Sequence, residues 1–452
     1  MKRGNARQAE PLRLSATDAF FVAYQQASGV LMQLGGEAEV EGEVLREDLE
    51  LMIRNLVDRW PQLGQTLRKG LVGLHWAGEP RVKEMLRIGD GRMDEAAGWR
   101  NTPLDPFREP PFQALWVPRI GGGTLALRAH HSVMDGESFF TVGTEAVRFL
   151  AHRHLGEFAQ NAAAADRPTP RLTGFVPRKH LTLKKTRNAW RYLRWLSSEA
   201  SANRSARIAV ALCEPGDTSS LVRTLDQNRV AQLKQQANES GIMPTAWCAA
   251  AWMRAIHSWN VSRDAVGNSL VSLELPVSLR RAKKAGNDTV GNFISPLLVF
   301  SDATKPIEQI AQSIKRQLMA AMRAQAHLSM PLLSAPGKFL PWALFRRVAV
   351  NPKTTGFATS HFTWFEPETN LPAEVSRIAK GNLQITNELI YTPVCLHMGA
   401  ALAVVAFPER VQFFLTYRTN ALSFAAAEKL MNLLMAELES RDARQNFKTA
   451  TR

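Results

Sequence analysis

Between Thr124 and Leu150 the chain reads as a strand that ends on two adjacent histidines and passes through Asp135-Gly136 into a helix. Leu125, Leu127 and Ala129 share one face of that strand, and Thr124, Ala126 and Arg128 share the other. Gly121-Gly122-Gly123 is a tight connection into it, and Asp135-Gly136 a turn out of it. His130 and His131 therefore stand at a strand end, with a carboxylate four residues beyond the second. Histidine suits proton transfer near neutral pH, because its ordinary pKa is about 6.5. Adjacent histidines on a strand point to opposite faces and do not share a metal, and no Cys or Glu stands at ligand spacing. No metal site is expected.

A chain of 452 residues is too long for one ordinary core and suggests two lobes. Strands and helices alternate throughout, which predicts an α/β class with mixed sheets. Residues 1–170 are expected to form the lobe with the histidine motif, 171–206 a basic crossover, and 207–452 the second lobe. Ser15 reads as a helix N-cap with Asp18 three residues on. Leu49, Met52, Ile53, Leu56, Val57 and Trp60 mark an amphipathic helix that Pro61 ends. In the second half Pro244 opens an Ala-rich helix, and Val271, Leu273 and Leu275 alternate in a strand. Later strands are expected near 384–391, 397–406 and 411–418, followed by a Ser423-capped helix.

The net charge of +15 implies an anionic partner. The candidates are the phosphates of coenzyme A, an acidic acyl carrier protein, an anionic membrane surface and, last, nucleic acid, for which no recognition motif is present. Two stretches combine basic and aromatic residues: 167–194, which holds Trp190 and Tyr192, and 330–350, which holds Phe339, Trp342 and Phe345. The first reads equally as a solvated linker or a phosphate- or lipid-contacting surface, the second foremost as buried core with a charged rim. Cys213, Cys248 and Cys395 are far apart and odd in number, as buried small hydrophobes are in a reducing compartment. With no signal-peptide pattern and no span long and apolar enough for a bilayer, the expected location is cytoplasmic, with peripheral contact to the inner membrane face as an option.

The HHxxxDG spacing of His130, His131, Asp135 and Gly136 resembles the signature of the chloramphenicol-acetyltransferase-like superfamily. That group includes nonribosomal-peptide condensation domains, polyketide-associated acyltransferases and bacterial wax ester synthase/diacylglycerol acyltransferases. Pro276-Val277-Ser278-Leu279-Arg280 is similar to a PVSLR-type segment of the wax-ester group, and Val290-Gly291-Asn292 to the element that follows it. Ala358 to Phe365 stands where that group has a TSN-like segment. His361 to Pro367 echoes the DFGWGKP element of plant acyltransferases, with His361 in place of the acid and Thr363 and Phe365 in place of both glycines.

The resemblance implies two lobes, each a sheet backed by helices, meeting in a V around a channel with the histidine motif at its middle. It implies transfer of an acyl group from acyl-coenzyme A, or from the phosphopantetheine arm of an acyl carrier protein, to an alcohol or amine. No permanently bound cofactor is expected. His131 is the implied general base, and His130 a supporting residue. Asp135 is implied to hold the loop through an arginine, for which Arg280 is the candidate, and Gly136 to keep space clear. Ser360 and Asn292 are candidate donors to the oxyanion. No GxSxG nucleophile motif is present, so the acceptor attacks directly without an acyl-enzyme. The leading expectation is ester formation of the wax-ester/diacylglycerol type. The alternatives are a free-standing condensation enzyme using carrier-bound substrates, and a non-catalytic relative that binds a thioester or a protein.

Overall fold

The computed structural model describes residues 12–154, 182–202, 205–211, 214–265, 267–280, 289–349, 358–367 and 370–439. Two sheets organise these residues, and a small sheet of Leu12–Arg13, Leu74–Ala77 and Thr66–Lys69 lies beside the first. The first sheet has the order Gln384–Tyr391, Gln33–Glu41, Gly122–His130, Phe112–Arg119 and Leu86–Ile88. The second has the order Ile294–Asp302, Leu270–Ser278, Ser360–Phe365, Ala400–Ala406, Val411–Arg418 and Thr218–Leu225. Both sheets mix parallel and antiparallel pairs.

Each sheet carries its own core. Helix Arg46–Arg59 buries Leu49, Met52, Ile53, Leu56 and Val57, the stripe its three-and-four spacing dictates, against the first sheet. Burial of each such side chain contributes about 1.5–3 kcal/mol. Ser15 caps helix Ala16–Ser28 in a full capping box with Asp18. Under the second sheet, helix Pro244–Val261 buries Trp247, Trp252 and Trp259 among alanines, so it lies close to its neighbours Ile307–Arg323 and Phe424–Glu439.

The lobes are not successive pieces of chain, as a boundary at residue 207 requires. Strand Gln384–Tyr391 pairs antiparallel with Gln33–Glu41 and so completes the first sheet. Val375 and Ile378 of helix Leu371–Ile378, and Trp342 and Phe345 of helix Trp342–Ala349, belong to the first core. Arg148 clamps Glu374 through two hydrogen bonds of 2.8 and 2.9 Å. A strand edge left open near Gln33–Glu41 requires a partner, and the chain returns from the second lobe to supply it.

The basic crossover lies outside the described residues up to 181, and then forms helix Leu183–Ala202. That helix exposes Leu183 and Trp190, buries Ala189, and sets Trp195 against Phe300 with ring centroids 5.7 Å apart and planes tilted by 33°. In the second basic stretch Trp342 and Phe345 are buried while Phe339, Leu344 and Val348 are exposed. Among the described residues no helix is long and apolar enough to cross a membrane.

Candidate active site

The histidine strand fixes the first element of the site. Its antiparallel register with Gln33–Glu41 pairs His130 with Gln33, and the His131 amide continues the ladder onto the Met32 carbonyl at 2.7 Å. The two rings then diverge, as strand alternation requires. His130 is fully buried, and its Nδ1 accepts from the Ser132 amide at 3.1 Å and lies 2.8 Å from Ser132 Oγ. Burial, with His131 adding to it, pushes the His130 pKa down to about 3, so the ring is a neutral packing element.

His131 is half-buried and lies near His361 of the other lobe. Its Nδ1 lies 3.0 Å from the Met134 carbonyl, which can only accept, so Nδ1 carries the hydrogen and Nε2 carries the lone pair. Phe21 of the first helix lies flat on the ring, with centroids 3.8 Å apart and planes 8° from parallel. Burial holds the His131 pKa below the ordinary histidine value, against the pull of the Met134 and His131 carbonyls and Asp135.

Asp135 does not face either ring; its oxygens serve the backbone and an arginine. Oδ1 accepts from the Ser138 amide at 2.8 Å and from Arg280 Nη2 at 3.3 Å, and Oδ2 accepts from the Phe293 amide at 2.7 Å. Arg280 also donates to Ser138 Oγ at 2.6 Å and to the Thr289 carbonyl at 2.6 Å, pairs with Glu137 at 3.0 Å, and lies over the Phe293 ring. Ser138 Oγ donates to the Gly291 carbonyl and accepts from its amide. The loop after His131 is thus stitched to the two segments 276–280 and 290–293 of the other lobe. Most of the intervening loop expected over 282–289 lies outside the described residues.

Neither oxyanion candidate is placed for that role. Asn292 commits both hydrogens of Nδ2, one to Asp18 Oδ1 at 2.9 Å and one to the His131 carbonyl at 2.6 Å. It clamps the loop that begins at His131 to the first helix. Ser360 is fully buried, donates to the Ala400 carbonyl at 2.7 Å and accepts from Trp252 Nε1 at 3.1 Å. Period-two alternation sends Ser360 and Phe362 into the helix side of the sheet and leaves His361, Thr363 and Phe365 on the side of the histidine motif.

The sequence reading gives no role to three residues beside the motif. Phe21 is one. The others are His361 and Glu274, register partners in the parallel pair of their strands, with Nδ1 and Oε1 3.9 Å apart. His361 Nε2 lies 2.7 Å from Thr363 Oγ1. Burial and the nearby His131 push the His361 pKa down to about 4, and burial pushes Glu274 up to about 7. Glu274 was visible as the polar member between Leu273 and Leu275, on the face opposite the core. Burial pushes the Cys395 thiol up to about 12 and Cys248 higher still, which leaves neither as a thiolate nucleophile. Cys213 lies outside the described residues. Among those residues no group of His, Cys, Asp and Glu is arranged to hold a metal ion.

No family model and no curated protein matches the sequence. Solved structures do match in shape. The trichothecene 15-O-acetyltransferase of Fusarium sporotrichioides superposes with a TM-score of 0.71 at 11% identity, covering 94% of this chain and 94% of that one. The starter condensation domain of rhizomide synthetase, solved with C8-CoA, gives 0.64 at 14% identity over 95% and 94%. The SgcC5 protein of Streptomyces globisporus, solved with a naphthyl ethanediol, gives 0.64 at 15% identity over 96% and 99%. The chain therefore has the two-lobed fold of condensation domains and of this acetyltransferase.

Proposed function

We propose that the protein is an acyltransferase that moves an acyl group from a pantetheine thioester, on coenzyme A or an acyl carrier, to an alcohol or amine. The observation that carries this reading is the hydrogen bond from His131 Nδ1 to the Met134 carbonyl, which leaves the Nε2 lone pair free on a half-buried ring between two lobes. Nε2 takes the proton of the acceptor as its oxygen or nitrogen attacks the thioester carbonyl carbon. The imidazolium that forms is stabilised by the Met134 carbonyl dipole and by the face of Phe21, the latter worth about 0.5–2 kcal/mol. When the tetrahedral intermediate collapses, the C–S bond breaks and His131 returns the proton to the leaving thiolate. Asp135 and Arg280 act by holding the loop.

The C8-CoA bound by the rhizomide synthetase domain supports an acyl-coenzyme A donor. The naphthyl ethanediol on SgcC5 and the Leu-SNAC on the rhizomide domain support both acceptor classes on this fold. Condensation in secondary metabolism is therefore the closer reading, ahead of wax ester or diacylglycerol synthesis; membrane contact remains a separate proposal for the exposed Leu183 and Trp190. The test is thiol release from acyl-coenzyme A and acyl-carrier donors with a panel of alcohols and amines. His131→Ala is expected to lower turnover by about 10²–10⁴-fold. Unchanged turnover in His131→Ala would assign the base to another group, and tight donor binding with no turnover by the wild-type chain would favour the non-catalytic binding alternative.

A further inference from the structure

The mechanism above leaves one ionisable pair in the gap without a task. Glu274 and His361 stand side by side on the sheet face that looks toward the histidine motif, and His361 is near enough to feel the charge of His131. The Glu274 side chain is 37% exposed, so a solute can reach it. Its surroundings are nevertheless poor in dielectric screening, since burial alone raises its pKa. Its other titratable neighbours are the Tyr192 hydroxyl of helix Leu183–Ala202 and the Cys395 thiol, and neither is cationic. Among the described residues the only basic side chain paired with Glu274 is His361, and 3.9 Å is too long for a hydrogen bond. A carboxylate so placed is costly unless a cation meets it, and the described residues supply none there but His361, which burial holds neutral.

Two acceptors 3.9 Å apart can share one nitrogen: set to the side of the line that joins them, it lies about 2.9 Å from each and gives each one hydrogen. With His361 Nε2–H donating to Thr363 Oγ1, the Nδ1 lone pair faces that gap together with Glu274 Oε1.

We propose that Glu274 and His361 form the acceptor subsite and that the acceptor is an amine, bound as its ammonium ion; this rests on the acyl-transfer reading above. An alcohol reaches the tetrahedral intermediate by losing one proton, for which His131 suffices. An ammonium ion must lose two. Glu274 takes the first and frees the nitrogen lone pair. The amine then forms the C–N bond to the thioester carbonyl, and its second proton passes to His131 Nε2. The C–S bond breaks, the thiolate recovers that proton from His131, and the Glu274 carboxyl releases its own to water. The products are an amide, a free thiol and one proton.

The experiment uses octanoyl-coenzyme A as donor and matched amine and alcohol pairs, from short alkyl to aryl-ethyl skeletons, with thiol release as the readout. The wild-type chain is expected to favour the amine of each active pair. Glu274→Gln is expected to lower the amine-to-alcohol ratio of kcat/KM by about tenfold or more, chiefly through KM of the amine. Glu274→Asp, which keeps the charge, is expected to restore part of the ratio, and it carries the comparison if the Gln variant does not fold. Preference for alcohols, or an unchanged ratio in the variants, with transfer still lost in His131→Ala, overturns the amine subsite and leaves the acyltransferase standing. No transfer to any acceptor, or full activity of His131→Ala, overturns both.

Discussion

Gly136 and the ring of Phe365 occupy adjoining space: a methyl group added at Gly136 would overlap the Phe365 ring edge. The glycine belongs to the histidine motif of one lobe and the phenylalanine to strand Ser360–Phe365 of the other. Phe140 supports the same ring, with centroids 5.0 Å apart. Gly136 has no positive φ, so its requirement is space and not backbone freedom. Gly136→Ala is accordingly expected to destabilise the fold by about 1–3 kcal/mol through overpacking. Phe365→Ala should relieve it in the double variant, and urea unfolding of the four proteins in the cycle measures the coupling.

Asp135 and Arg280 hold the loop and touch neither imidazole. Asp135→Ala leaves the Ser138 and Phe293 amides without their acceptor and takes one of two carboxylates from the buried Arg280 guanidinium, an expected loss of about 2–5 kcal/mol. Activity should fall with stability, and the acid limb of the surviving activity should move to lower pH, because the Asp135 charge pulls the His131 pKa upward. An unmoved midpoint would mean that the carboxylate acts only by holding the loop.

The proposed base has to be the neutral ring, and burial holds the His131 pKa below the ordinary value of about 6.5. A plot of kcat/KM against pH is therefore expected to be level across neutral pH and to fall on the acid side, with its midpoint below 6.5. Loss of rate as pH rises through 7 would point to a protonated group as the working form and remove His131 as the base.

His130 links stability to pH. Above about 6.5 the ring is neutral in both the folded and the unfolded chain; below it the unfolded chain binds a proton that the folded chain refuses until about pH 3. Stability is then lost as pH falls, by about 1.4 kcal/mol per unit for this ring. His361 and His397, each held down to about 4, act in the same direction. His130→Asn keeps an acceptor for the Ser132 amide and has no proton to gain, so its unfolding free energy should fall less steeply between pH 6.5 and 4.

Phe21 orients the base. Phe21→Ala should leave the fold intact, because the ring is only half-buried, and lower kcat by about tenfold through the loss of the stacked face. An equal loss in Phe21→Leu would show that the aromatic face matters, whereas full rescue by Leu would reduce Phe21 to packing.

Much of this architecture lies in local sequence. The strand ending on His130-His131, the turn at Asp135-Gly136, the Ser15 cap and the stripe from Leu49 to Val57 are periodic or short-range features, and short-range geometry follows from residue type and spacing. Arg280 is nominated as the partner of Asp135 by the resemblance to a known family, through the PVSLR-type segment that it ends. What spacing could not supply is the direction in which a side chain leaves its strand once that strand is packed. Ser360 turns to Trp252 and its neighbour His361 to the gap, a choice made by which face of the sheet buries Phe362. Asn292 is drawn to Asp18, 274 residues away, and strand Gln384–Tyr391 to Gln33–Glu41. Such pairings satisfy buried polar groups and open strand edges of the assembled molecule, so they exist only once both lobes are in place.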